Sequence, residues 1–156
     1  MLKYLNTDIV FQEIPDEVTL AINLTGCPCH CPGCHSPYLW NDTGNPLTPE
    51  ALDKMIADCK SNITCVALMG GDAIPDEVNE LAGYVRTHHT DLHTAWYSGR
   101  SLLAPHMEID NFDYIKLGPY LRHLGSLRYR STNQRMYKVT DGKMKDITSR
   151  FWRNDV

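Results

Sequence analysis

The chain has 156 residues, 42% of them hydrophobic and 22% charged, with a formal net charge of −4. That balance is ordinary for a soluble globular domain and gives enough chain for one filled core, so a single domain over 1–156 is expected. The acidic surplus argues against a nucleic-acid footprint, and no apolar run approaches the roughly 18–20 residues of a membrane span. The opening MLKYLNTDIVFQEIPDE is broken by polar and acidic residues and lacks the apolar stretch of a secretory leader. A cytoplasmic location is therefore expected, with no membrane partner. There the six cysteines stay reduced, and metal or redox roles outweigh disulfides.

In chain order, Val18–Leu24 is an apolar-rich run that reads as a buried strand ending at the turn signal Thr25-Gly26. Thr48-Pro49-Glu50 supplies an N-cap, a proline at the first helical position and an acid in the first turn. Leu52, Met55, Ile56 and Cys59 follow at helical spacing. Thr64–Met69 reads as a second strand stopped by Gly70-Gly71, and Pro75 to about Thr87 as a second amphipathic helix with Val78, Leu81, Ala82 and Val85 inward. His93–Tyr97, Tyr114–Leu117 and Met136–Val139 read as three further strands, the last followed by the turn Asp141-Gly142. Strand and helix alternate through the first two-thirds, which predicts an α/β fold with a mostly parallel sheet of right-handed crossovers. Ligands of such sheets bind beyond the carboxyl ends of the strands, so the segments after successive strands should meet on one rim.

Between the first strand and the first helix stands Cys27-Pro-Cys29-His-Cys31-Pro-Gly-Cys34. Thiols so close in sequence cannot easily pair with one another. A loop of this kind gathers thiolates around a metal or an iron–sulfur cluster. Cys27, Cys31 and Cys34 have the order C-x3-C-x2-C. Structural zinc normally takes four ligands from two separated pairs, and no second C-x2-C is present. A ferredoxin-type carrier uses a different spacing. Three thiolates on a four-iron cluster would leave one iron without a protein ligand. Cys59 and Cys65 fall on a helix and a strand and are expected as core thiols. Cys29 lies inside the loop but outside the triplet, and is expected to point away.

The C-x3-C-x2-C order resembles the radical S-adenosylmethionine superfamily. Thr25-Gly-Cys27 with Cys31-Pro-Gly-Cys34-His35, then Met69-Gly-Gly-Asp72, Tyr97-Ser-Gly99 and Ser131-Thr-Asn-Gln-Arg135, narrows the resemblance to the activating enzymes of anaerobic (class III) ribonucleotide reductase. The resemblance implies an incomplete, open β/α barrel with its cluster loop at 25–37. It implies a [4Fe–4S] cluster on Cys27, Cys31 and Cys34, with the amino and carboxylate groups of S-adenosylmethionine on the open iron. It further implies reductive cleavage to methionine and a 5′-deoxyadenosyl radical, and hydrogen abstraction from a backbone glycine of the reductase. The implied partners are the large subunit of anaerobic ribonucleoside-triphosphate reductase and a low-potential electron donor such as flavodoxin. Activases of other glycyl-radical enzymes, of the pyruvate formate-lyase type, form the nearest alternative; a non-catalytic zinc module is the alternative from another class.

Further cofactor contacts are expected from Gly33, Cys34 and His35 in the loop, from Gly70, Gly71 and Asp72 after the second strand, and from Ser98 and Lys116 after the third and fourth. The glycines allow close backbone approach, and Asp72 places negative charge beside an ammonium. Ser98 could hydrogen-bond a ribose or carboxylate, and Lys116 could neutralise a carboxylate. Arg128, Arg130 and Arg135 form a basic stretch in an acidic chain and are expected to meet cofactor or partner. His88 and His89 are expected as surface residues of a helix end.

Overall fold

In a computed structural model that describes residues 1–29, 37–59 and 62–152, the chain forms one eight-stranded sheet with two α-helices. The strands are β1 (Lys3–Val10), β2 (Thr19–Leu24), β3 (Asn45–Pro46), β4 (Cys65–Met69), β5 (His93–Tyr97), β6 (Tyr114–Leu117), β7 (Arg135–Thr140) and β8 (Lys143–Asp146). The helices are α1 (Pro49–Cys59) and α2 (Pro75–His88). Spatial order across the sheet is β3-β1-β2-β4-β5-β6-β7-β8.

The centre is parallel: β2, β4, β5 and β6 run side by side in one direction. Both flanks are antiparallel, through β1 and β3 on one side and β7 and β8 on the other. Four of the seven pairings are antiparallel, which corrects the expectation of a mostly parallel sheet. The architecture is mixed α/β with an open sheet. The strands foreseen at the centre fall within a residue of their expected limits. β1 and β8 were not foreseen, because their sequences KYLNTDIV and KMKD have no sustained apolar run.

Local chemistry explains the elements. The Ala51 N–H donates to Thr48 Oγ1 at 3.1 Å, so Thr48 caps α1 as its sequence predicts. Asp141 and Gly142 have φ of 52° and 74°, the paired left-handed conformation of a two-residue hairpin between β7 and β8. The parallel strands advance in one direction across the sheet, so right-handed crossovers place both helices on the same face. That face carries the main core, where Leu20, Ile22, Val66, Leu68, Trp96 and Ile115 meet Leu52, Ile56, Val78 and Val85.

The opposite face is shallower. Cys65, Ala67, Ala95, Tyr114 and Met136 pack there beneath Ile14 and Leu127 from loops and Phe151 from a short 3-10 turn. Cys65 is fully buried and Cys59 partly so, in keeping with core roles. Small side chains and loop cover leave a hollow on this face at the carboxyl end of the strands. No helix among the described residues is long and apolar enough to cross a membrane.

Candidate functional site

The segments after β2, β4, β5 and β6 meet on one rim, as the strand order requires. The cysteine loop leaves β2 through a neck: the Gly26 N–H donates to Asn41 O and the Cys27 N–H to Leu39 O, both at 3.0 Å. Thr25 reinforces it, its hydroxyl donating to Thr43 O at 2.5 Å. Gly26 has φ of 74°, with nothing near where a Cβ would stand, so glycine serves the turn by conformation alone. Cys27 is half-buried on this neck and in no disulfide.

Cys31 and Cys34, with Gly33 and His35, lie outside the described residues. Among the described residues no three His, Cys, Asp or Glu gather as a metal site. The donor chemistry nevertheless fits a cluster: a thiol on a tied neck, with two further thiols in the loop that the neck closes. Cys29 departs from expectation. Its Sγ faces the rim, 3.9 Å from Asp72 Oδ2, and stands where a side chain on Gly99 would intrude.

The turn after β4 is built on two left-handed glycines, Gly70 at φ 111° and Gly71 at φ 86°. At Gly71 a Cβ would come within 2.6 Å of Val78 Cγ2 and 3.0 Å of Leu24 Cδ1, so only glycine fits between β2 and α2. Gly70 O accepts from Trp96 Nε1 at 2.6 Å, anchoring the turn to the core. Asp72 follows at 1% exposure. Its carboxylate accepts from Ser98 Oγ at 2.6 Å and from the Gly99 N–H at 2.8 Å. Asp72 and Ser98 are therefore joined to each other. The Ser98 hydroxyl, expected to reach cofactor, is directed at Asp72 instead.

Lys116 is also committed to the protein. Its ammonium donates to Gly118 O at 2.8 Å and Ser98 O at 3.2 Å, and stands 5.6 Å from the Tyr97 ring centre. It thereby ties the ends of β5 and β6 while bordering the hollow on the shallow face. That hollow is a cavity of about 510 Å³, floored by Met69, Tyr97 and Lys116 and walled by Gln12, Leu127 and Arg128 among others. Tyr97 donates its hydroxyl to Glu13 O, and burial pushes its pKa far up, so it stays a neutral donor.

The 131–135 stretch brings one residue, Gln134, to the cavity wall and is tied down on either side of it. Thr132 Oγ1 donates to Gly125 O at 3.0 Å, and Asn133 Nδ2 to Pro119 O at 3.0 Å. Gln134 is buried and lines the cavity. The arginines divide: Arg128 borders the cavity, Arg130 lies over the Trp152 ring at 5.2 Å, and Arg135 stands 3.6 Å from Asp146. His89 is a correction, since it is half-buried and its Nε2 meets Asp53 Oδ1 at 2.7 Å, joining α2 to α1. Arg100, which sequence reasoning passed over, reaches back to the Asp72 turn, donating to Asp72 O at 2.9 Å. Its only sequence signal is its place directly after Ser98-Gly99.

Residues 18–118 match the family model described as a 4Fe-4S single cluster domain, a span running from the head of β2 to the turn after β6. No curated protein and no solved structure matches the chain in the corresponding comparisons. The matched span contains the cysteine loop, both helices and all four parallel strands that form the rim. The chain belongs to the 4Fe-4S single cluster domain family and is a 4Fe–4S cluster-binding domain.

Proposed function

We propose that the chain is a single-domain cytoplasmic radical S-adenosylmethionine enzyme, an activase of anaerobic ribonucleotide reductase built on an open half-barrel. The observation that carries this reading is the convergence at one rim of the cysteine loop, the Gly70–Asp72 turn and Ser98-Gly99, beside a cavity of about 510 Å³. Cys27, Cys31 and Cys34 would hold the cluster through their thiolates. When bound, the reduced cluster and S-adenosylmethionine supply the chemistry, namely one-electron cleavage of the sulfonium to methionine and a 5′-deoxyadenosyl radical that takes hydrogen from a reductase glycine.

The chain's own residues bind, orient and shield. Gly70 and Gly71 present backbone with no side chain in the way. Asp72 contributes negative charge on the side where the cofactor's ammonium and sulfonium belong. Lys116 and Arg128 give the cavity the cations that a carboxylate requires. Met69, Tyr97 and Leu127 line it with apolar surface that excludes water from a reactive radical. Gly33 and His35, outside the described residues, would add the loop's own contact with the cofactor. The large subunit of the reductase docks over this open face, and a low-potential donor such as flavodoxin supplies the electron.

Anaerobic reconstitution with iron and sulfide tests the reading. The expected result is about four irons per chain, and 5′-deoxyadenosine released on reduction with S-adenosylmethionine. One tightly held zinc with no cleavage overturns it in favour of a zinc module. The partner is tested by electron paramagnetic resonance: a glycyl-radical doublet should appear on mixing with the reductase. A doublet only with a pyruvate formate-lyase type enzyme reassigns the partner while keeping the chemistry.

A further inference from the structure

Three turns of the rim are tied to one residue that has no place in the function proposed above. The Arg100 guanidinium donates to Asp72 O at 2.9 Å, and its Nε lies 3.9 Å from Asp72 Oδ1. The Arg100 N–H donates to Ser98 Oγ at 3.1 Å, the same oxygen whose proton goes to the Asp72 carboxylate. Arg100 O accepts from the Gly118 N–H at 2.6 Å. The turns after β4, β5 and β6 therefore all meet Arg100.

The chemistry favours this residue type. Asp72 is 1% exposed, and a buried carboxylate needs both hydrogen-bond donors and compensating charge. Ser98 and Gly99 supply the donors, and both are neutral. The guanidinium supplies the charge, and its planar fork serves a main-chain carbonyl while facing a carboxylate, which a lysine ammonium does poorly. The Arg100 side chain is 45% exposed, so it can hold this place without itself being desolvated.

We propose that Arg100 is the positioning residue of the rim. Its side chain fixes Asp72, and through Asp72 sets the angle at which the Gly70-Gly71 backbone faces a ligand; it does not touch that ligand. The ligand part rests on the S-adenosylmethionine reading above. The holding of the turn does not.

Two measurements on Arg100→Ala, Arg100→Lys, Asp72→Asn and the Arg100→Ala/Asp72→Asn double variant decide it. The first is hydrogen exchange of the Gly99 amide in the unloaded chain, because that N–H is bound to Asp72. Arg100→Ala should speed this exchange about tenfold, and Arg100→Lys less, as local opening becomes easier. An unchanged Gly99 rate overturns the proposal, whatever the chain binds. The second is S-adenosylmethionine affinity, read from the change it causes in the paramagnetic spectrum of the reduced, reconstituted protein. Arg100→Ala should retain its iron and bind about tenfold more weakly. The double variant should lose little beyond the larger single loss, since residues acting in one network are not additive. Full additivity means that Arg100 meets the ligand directly, and overturns the positioning role; so does loss of iron from Arg100→Ala. A wild-type spectrum that does not respond to S-adenosylmethionine sinks the proposed function instead, and the Gly99 exchange still decides whether Arg100 holds the turn.

Discussion

At the amino ends of the parallel strands, a buried and a partly buried carboxylate meet basic side chains at contact distance. At the carboxyl ends, the buried carboxylate meets neutral donors, and its nearest guanidinium nitrogen to a carboxylate oxygen stands off. Asp113, just before β6, takes Arg86 Nη1 at 2.7 Å and the Thr94 N–H at 2.9 Å. Glu17, just before β2 and with its side chain 5% exposed, takes His93 Nδ1 at 2.6 Å. Asp72 is held by Ser98 and Gly99, with Arg100 Nε 3.9 Å from its nearer oxygen. The difference is one of purpose. A carboxylate in direct contact with a basic side chain works as a clamp between two elements. One bonded by hydroxyl and amide, with its compensating guanidinium held back at 3.9 Å, keeps more of its field, which suits a rim meant for a cationic ligand.

The largest break in this comparison comes from the cysteines. Cys27→Ser, Cys31→Ser or Cys34→Ser should each abolish the four-iron cluster at the rim, measured as iron content and visible absorbance after reconstitution. Cys29→Ser should retain it. Iron loss from Cys29→Ser would make the thiol facing Asp72 a ligand and redraw the site.

Next in size is the Gly71 turn. Gly71→Ala brings a Cβ to 2.6 Å from Val78 Cγ2 at φ 86°, combining overpacking with left-handed strain. A loss of about 2–4 kcal/mol is expected in denaturant unfolding. Gly26→Ala, at φ 74° in open space, should cost only about 1 kcal/mol. Equal losses at the two sites would mean that close packing plays no part in the rim.

At the opposite end, His93→Ala strands the buried Glu17 carboxylate and should cost about 1–3 kcal/mol, seen as a lower Tm. Glu17→Gln should cost less, because the amide can still bond the imidazole. The reverse ranking would show that the imidazole is not what satisfies Glu17.

The smallest effect is a pH dependence on the shallow face. Burial, with the Glu17 charge second, pushes Tyr114 up to about 12. A phenol whose folded pKa lies above its unfolded value of about 10 contributes stability that is complete below pH ~10 and fades as pH rises towards 12. Burial pushes Tyr97 and the Cys65 thiol in the same direction. Stability followed by circular dichroism should therefore decline through this alkaline window, and Tyr114→Phe should flatten the decline. An unaltered profile would place Tyr114 in contact with solvent.

What the sequence revealed, and what it hid, follows from burial. β2, β4, β5 and β6 are covered on both faces, so Thr19–Leu24, Cys65–Met69 and their neighbours read as apolar runs between glycine stops. β1 and β8 lie towards the edges, where Asn6, Asp8, Lys143 and Lys145 face solvent, and no period marks them. The rim was legible as a set of turns because each follows a strand. Its wiring was not. Nothing in the chain says that Ser98 bonds Asp72, that Lys116 caps two carbonyls, or that Arg100 folds back on Asp72, since such pairings depend on the three-dimensional angle between turns. For the same reason His89 passed as a surface residue until α1 brought Asp53 against it.

One feature of the neck reaches beyond the site. Gly26 and Cys27 are tied to Asn41 and Leu39 by main-chain bonds, and Thr25 to Thr43, none of which involves a thiolate. Zinc fingers owe their fold to their metal; here the neck is closed by hydrogen bonds of the chain itself. Loss of the cluster is therefore expected to leave these neck bonds in place, read as an unchanged far-ultraviolet circular dichroism spectrum after the iron is chelated.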